Sequence, residues 1–206
     1  MRGNLAARKV ASLLGYTVDY QYLTKDGSVL GKTASGKMWI TVYDSDKTEM
    51  LYELDDKTIL IEKRLLFSPR NVGRKNFTIA HELAHQIINR SFPEQYGVEC
   101  RVFCDYRRPV KPRKKVVDWH EWQADALAAS LLLPKDAVTD AMFMFGLGEK
   151  LKVLSRKYSQ YKYECFCNMA DYLQVSRTAL AYRMERLGLL ERNLLVEEAL
   201  KRKGVA

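Results

Sequence analysis

No run of apolar residues in this 206-residue chain approaches the roughly 20 needed to span a bilayer, so no membrane-crossing helix is expected. The opening MRGNLAARKVASLLGY lacks both a sustained apolar run and a small-residue cleavage site, which argues against a secretory signal and for the cytoplasm. It reads instead as an amphipathic helix, with Leu5, Ala6, Val10, Leu13 and Leu14 close to one face. Cysteine is scarce: the four, at 100, 104, 165 and 167, are spaced C-x-x-x-C and C-x-C. Neither spacing suits a zinc knuckle, and reduced thiols are expected in a cytosolic protein. Low-complexity tracts and repeats of fixed period are also missing, which excludes fibrous, solenoid and compositionally disordered classes. Only three histidines are present, so where they fall carries weight.

What the chain does have is positive charge, a net +9. Much of it is clustered in Arg107, Arg108, Lys111, Arg113, Lys114 and Lys115, and again in Lys201, Arg202 and Lys203. Such clusters could track phosphates, or they could be a solvated loop and tail. Charge alone does not choose between them.

Segments rich in β-branched and aromatic residues follow the first helix: 18–23, 37–43, 48–54 and 57–66. Lys25-Asp26-Gly27, Ser35-Gly36, Asp44-Ser45-Asp46 and Asp55-Asp56 punctuate them, predicting short strands in a small, mainly antiparallel sheet. Ser68-Pro69 suits a helix start, leading into FTIAHELAHQIIN at 77–89. Residues 91–117 read as a long loop with at most an irregular strand. A second strong helix begins at Asp118 and stops at Pro134. Beyond it, helices are expected at 135–145, 149–158, 163–173, 177–187 and 191–203. Helix, then sheet, then helices is an α+β order.

The chemistry concentrates in His81-Glu82-Leu83-Ala84-His85. Residues four apart on a helix project from one face, so His81 and His85 can share a zinc ion while Glu82 reaches a water on it. Composition alone would produce this pattern only about 0.003 times in such a chain. The bland alternative, two histidines on an ordinary helix, explains less. Ile79, Ala80, Leu83, Ala84, Ile87 and Ile88 already supply the apolar stripe, and burying unpaired imidazoles is costly.

A catalytic zinc usually takes three protein ligands. The next strong helix offers Glu121, with Asp125 one turn later placed to accept the outer N–H of a ligand histidine. Glu121 could instead complete a capping box with Asp118, and Asp125 could be a solvent-facing acid near a helix start. His120 is the rival ligand, but its side chain leaves the helix about 100° from that of Glu121. The expected site is therefore one zinc per chain on His81, His85 and Glu121. Glu82 would act as general base toward a zinc-activated water attacking a peptide carbonyl. Tyr96, His120 and a tyrosine within 158–163 are candidates to stabilise the oxyanion.

These residues resemble the ImmA/IrrE family of zinc metallopeptidases. The likeness runs through Arg74-Lys75-Asn76-Phe77-Thr78-Ile79-Ala80-His81-Glu82-Leu83-Ala84-His85, then through residues 121–134, EWQADALAASLLLP. Leu127 stands where the family usually has Phe. A third match is Ala170–Ser176, followed by Ala179–Met184 and Leu187-Gly188-Leu189. The resemblance implies a zincin-like fold, His81, His85 and Glu121 as zinc ligands, Glu82 as general base and Asp125 behind the ligands. It also implies, from several members, cleavage of a helix-turn-helix repressor that releases a stress response or a mobile element. A peptidase domain at 1–145 and a helical subdomain at 146–206 are expected. The basic insertion before Glu121 departs from the family pattern, and no GAF-type sensor domain is expected after the helical tail.

Residues 166–189 have the outline of a helix-turn-helix capped by Ser176, with Gln174 where the turn usually carries Gly. Arg177, Arg183 and Arg186, with Tyr182, are its candidate contacts to DNA or to an acidic partner. The alternative function is accordingly a DNA-binding regulator whose metal site is structural or sensory. A third possibility, an inactive interaction protein, fits poorly with an intact Glu82.

Overall fold

The structure is a computed structural model describing residues 7–67, 72–96, 102–107 and 119–195, with backbone alone at 96 and 102–107. The described residues divide into two compact units, one ending at Leu132 and the other beginning at Leu133. The sequence suggested a division at 145–146. Among the described residues, no helix is long and apolar enough to cross a membrane.

The first unit opens with helix α1 (Ala7–Leu13) and strand β1 (Thr17–Gln21). Strands β2 (Val29–Ala34), β3 (Met38–Tyr43), β4 (Glu49–Leu54) and β5 (Thr58–Glu62) follow, then a 3-10 turn at Lys63–Leu66. The long helix α2 (Val72–Ser91), a short α3 (Pro93–Tyr96), strand β6 (Val102–Arg107) and helix α4 (Trp119–Leu132) complete it. An α+β arrangement is what the order of elements led one to expect. Ser68-Pro69, Asp118 and most of the basic cluster lie outside the described residues.

The sheet runs β1-β5-β2-β6, and β3–β4 forms a separate antiparallel hairpin. The pairing is mainly antiparallel, as expected, with β1 and β5 as the one parallel pair among the described strands of this unit. β5 is buried at four of its five positions, with Ile59, Leu60 and Ile61 at its centre, as suits a strand covered on both faces. Leu60 joins a cluster with Ile40, Val42 and Leu54 of the hairpin, and Ile59 and Ile61 point the other way by strand alternation. Tyr52 fastens the hairpin to β1 by donating its hydroxyl to Asp19 Oδ2 at 2.7 Å.

β2 decides where the sheet meets α2. A register shift between Val29 and Gly31 changes which face successive residues take. Val29 and Ala34 pack in the hairpin cluster, whereas Gly31 and Thr33 meet α2. Gln86 of α2 donates to Thr33 Oγ1 and, at 2.7 Å, to the Ala34 carbonyl. Gly31 touches α2 backbone-first: a Cβ there would lie 2.7 Å from Thr78 Cγ2 and 2.5 Å from Glu82 Oε1.

α1 differs from its expected face. Ala7 and Ala11 are its buried residues, while Leu13 is 70% and Leu14 48% exposed. Two small residues four apart let the short helix lie close to its neighbours, and the leucines at its end are left outside.

The second unit contains α5 (Lys135–Met144), β7 (Leu151–Leu154), α6 (Gln160–Tyr172), α7 (Arg177–Arg186) and β8 (Leu190–Asn193). The helices expected at 149–158 and 191–203 are corrected where the chain is described, for β7 and β8 form a parallel pair. Four residues such as Leu-Lys-Val-Leu satisfy either period, and the partner strand lies far along the chain. Phe166, Met169, Leu180 and Met184 are fully buried in this unit. Gln174 takes a left-handed φ of 54° between α6 and α7, and the Val175 N–H reaches back to the Ala170 carbonyl at 3.1 Å. That is a Schellman closure with Gln in place of Gly. Ser176 caps α7, accepting from the Ala179 N–H.

Candidate metal centre

α2 is buried along most of its length, so the histidines at its centre are removed from water: His81, Glu82 and His85 are each 0% exposed. α4 packs against α2 through small residues, with Ala124 and Ala128 completely buried. Alanines at these positions let the two backbones approach closely. That approach carries Glu121 to the imidazoles.

Glu121 Oε2 lies 3.2 Å from His81 Nε2, Glu121 Oε1 lies 3.3 Å from His85 Nε2, and the two Nε2 atoms are 3.0 Å apart. His81, His85 and Glu121 form a group whose donor atoms all fall within 4.8 Å of one another. A tetrahedral ion with bonds of about 2.05 Å separates its donors by about 3.3 Å, which is the edge length found here. Two imidazole nitrogens and a carboxylate are a donor set for a borderline divalent metal. The residues present therefore fit a metal ion.

The electrostatics agree. Burial disfavours charge on His81, but hydrogen bonds to Asp125 and Glu121 and the charge of Glu82 outweigh it, raising its pKa to about 9. Burial pushes His85 the other way, below its ordinary value. Burial would also raise Glu121, yet the two histidines hold it far below the usual carboxylate range. Without a metal, the site draws a proton into the position a cation would fill.

Asp125 Oδ1 lies 2.9 Å from His81 Nδ1. A hydrogen on Nδ1 leaves the Nε2 lone pair facing Glu121 and His85. Glu121 contacts both histidines, and Asp118, its partner in the capping reading, lies outside the described residues. His120 is not among the converging donors: its Nε2 lies 3.5 Å from His85 Nδ1 and 3.1 Å from Asn89 Oδ1. Trp119 and Trp122, one turn apart beside it, stack at 4.7 Å with rings nearly parallel.

The arginines singled out on α7 separate into two kinds. Arg177 and Arg186 are exposed, whereas Arg183 donates Nε to the Leu133 carbonyl at 2.9 Å, binding it into its own unit. Tyr158 and Tyr161 are exposed, and the Tyr96 side chain lies outside the described residues. Cys165 and Cys167 are free thiols.

Sequence reasoning passed over Gly31 and Asn89. An isolated glycine within a β-branched stretch signals a close backbone approach, and the segment around Gly31 was available to be read that way. Asn89 stands four residues after His85, extending the His81–His85 row by one more turn, a signal present in the spacing.

A search among curated proteins finds no match to this chain. A protein-family model described as the IrrE N-terminal-like domain, a peptidase family, matches residues 37–185.

Proposed function

Because the chain belongs to the IrrE N-terminal-like peptidase family, we propose that it is an intracellular zinc-dependent endopeptidase that cleaves a regulatory protein, with a helix-turn-helix transcriptional repressor as the expected substrate class. The observation that carries this reading is the meeting of His81 Nε2, His85 Nε2 and Glu121 on two helices packed through alanines. The family match adds the reaction type, and the H-E-x-x-H spacing adds the choice of zinc. The mixed sheet against α2 is read as a zincin-like core.

A zinc ion on these three residues would supply Lewis acidity toward the scissile carbonyl and the attacking water. Glu82 takes the proton from that water and returns it to the leaving amine. Its stem is confined by the β2 backbone at Gly31, which limits the positions its carboxylate can take. Asp125 keeps His81 in the tautomer that turns Nε2 inward. Burial of α2 excludes water from the far side of the histidines and strengthens each of these interactions.

The test is incubation of the zinc-loaded wild type and Glu82→Gln with purified helix-turn-helix repressors from the same cell, followed by mass spectrometry of new termini. Cleavage at a defined bond by the wild type alone supports the proposal. Equal cleavage by both proteins removes Glu82 from the mechanism, and intact repressors throughout reject the substrate class.

A further inference from the structure

We infer that His120, braced by Asn89, is a positioning residue for His85 and decides which nitrogen of that ring faces the metal donors. This role presupposes the zinc reading above and concerns the side of the site opposite Asp125. Glu121 is flanked on α4 by His120 one residue before and Asp125 four after. Asp125 meets the outer nitrogen of His81, and His120 meets the outer nitrogen of His85, with ring centroids 4.6 Å apart at 61°. One helix thus supplies a ligand and a partner for each of the other two ligands.

The placement of hydrogens gives the contact its meaning. His85 can offer the Nε2 lone pair only when its hydrogen sits on Nδ1. His85 is fully buried, so an Nδ1–H without an acceptor would be costly. The described group facing that nitrogen is His120 Nε2, at the long end of hydrogen-bonding distance. It accepts when His120 carries its own hydrogen on Nδ1. In the reverse arrangement His120 Nε2–H points at Asn89 Oδ1 and at His85 Nδ1, which forces the His85 hydrogen onto Nε2 and blocks the ligand atom.

Asn89 stands next to this choice. It is 8% exposed, and its Nδ2 finds no hydrogen-bond partner among the described residues. A half-turn of its amide exchanges oxygen for nitrogen with little change of shape. Nδ2 then faces His120 Nε2 while Oδ1 takes the place Nδ2 held, and the Nδ2 hydrogen favours the accepting form of His120, whose single Nε2 lone pair it shares with the His85 Nδ1 hydrogen. Asn89 and His120 together therefore act on zinc affinity without either touching the ion.

The experiment compares zinc affinity by chelator competition for the full chain, His120→Gln and His120→Leu, with cobalt absorption spectra of each. Gln places an acceptor oxygen near the position of Nε2; Leu keeps bulk and removes the acceptor. The expected result is a 10–100-fold loss of affinity and a shifted cobalt band for His120→Leu, with His120→Gln within about threefold of wild type. Equal affinities for wild type and His120→Leu, or equal losses in both variants, overturn the positioning role while leaving the zinc site intact. A wild type that takes up no zinc overturns the zinc reading and this role with it.

Discussion

Asp125 Oδ1 sits 2.9 Å from His81 Nδ1, on the far side of the ring from the Nε2 that faces Glu121. The contact turns a residue with two usable nitrogens into one with a single defined direction. Asp125→Ala should weaken zinc affinity about 10–100-fold, measured by chelator competition. Wild-type affinity in this variant would show that the carboxylate has no part in directing the ring.

Glu82→Gln should retain zinc, because Glu82 is not among the converging donors. Its cleavage rate should fall by about 10²–10⁴-fold, the usual contribution of a general base. Elemental analysis together with single-turnover cleavage separates the two effects. Loss of zinc from this variant would instead give Glu82 a ligand role.

Gly31→Ala would place a Cβ 2.5 Å from Glu82 Oε1 and 2.8 Å from Glu82 Cγ. Either the strand or the carboxylate must move, with an expected destabilisation of about 1–3 kcal/mol. Denaturant unfolding of metal-free protein checks the magnitude. An unchanged midpoint would mean that β2 does not press on α2 there.

The metal-free protein should show a pH dependence set by His81. Its folded pKa, about 9, lies above the ordinary histidine value. The stabilisation is thus fully present below about pH 6.5 and lost as pH rises toward 9, on the order of 2–3 kcal/mol in all. Thermal melts of the chelated protein between pH 6 and 9 should fall over that window. Asp125→Ala should flatten the trend, and a flat profile in the wild type would show that Asp125 and Glu121 do not hold the proton on His81.

Gln174 holds a φ of 54°, a conformation that glycine adopts without a Cβ penalty. Gln174→Gly should therefore be neutral or stabilising by up to about 1 kcal/mol, despite the greater freedom glycine gives the unfolded chain. The thermal midpoint reports it; a marked decrease would show that the Gln side chain is needed in the turn.

Legibility in the sequence tracked how local each signal was. The row of His81 and His85 is set by helical spacing alone, and Glu121 and Asp125 by spacing plus the need for a third ligand. α2 and α4 were readable for the same reason. β2 was missed because Gly31 and Lys32 interrupt its pattern and its face is set by a bulge, which depends on the pairing with β6. β7 and β8 were read as helix because their apolar residues gain a β pattern only from each other. The contact of Asn89 with His120 was obscured differently: spacing along α2 shows only that Asn89 continues the His81–His85 row, and its partner lies on another helix.

The measurement closest to the central claim is zinc per chain by elemental analysis, on wild type and Glu121→Ala purified without added metal. The account predicts close to one zinc in the wild type and a clear loss in the variant. A wild type free of zinc even after zinc is supplied would contradict it.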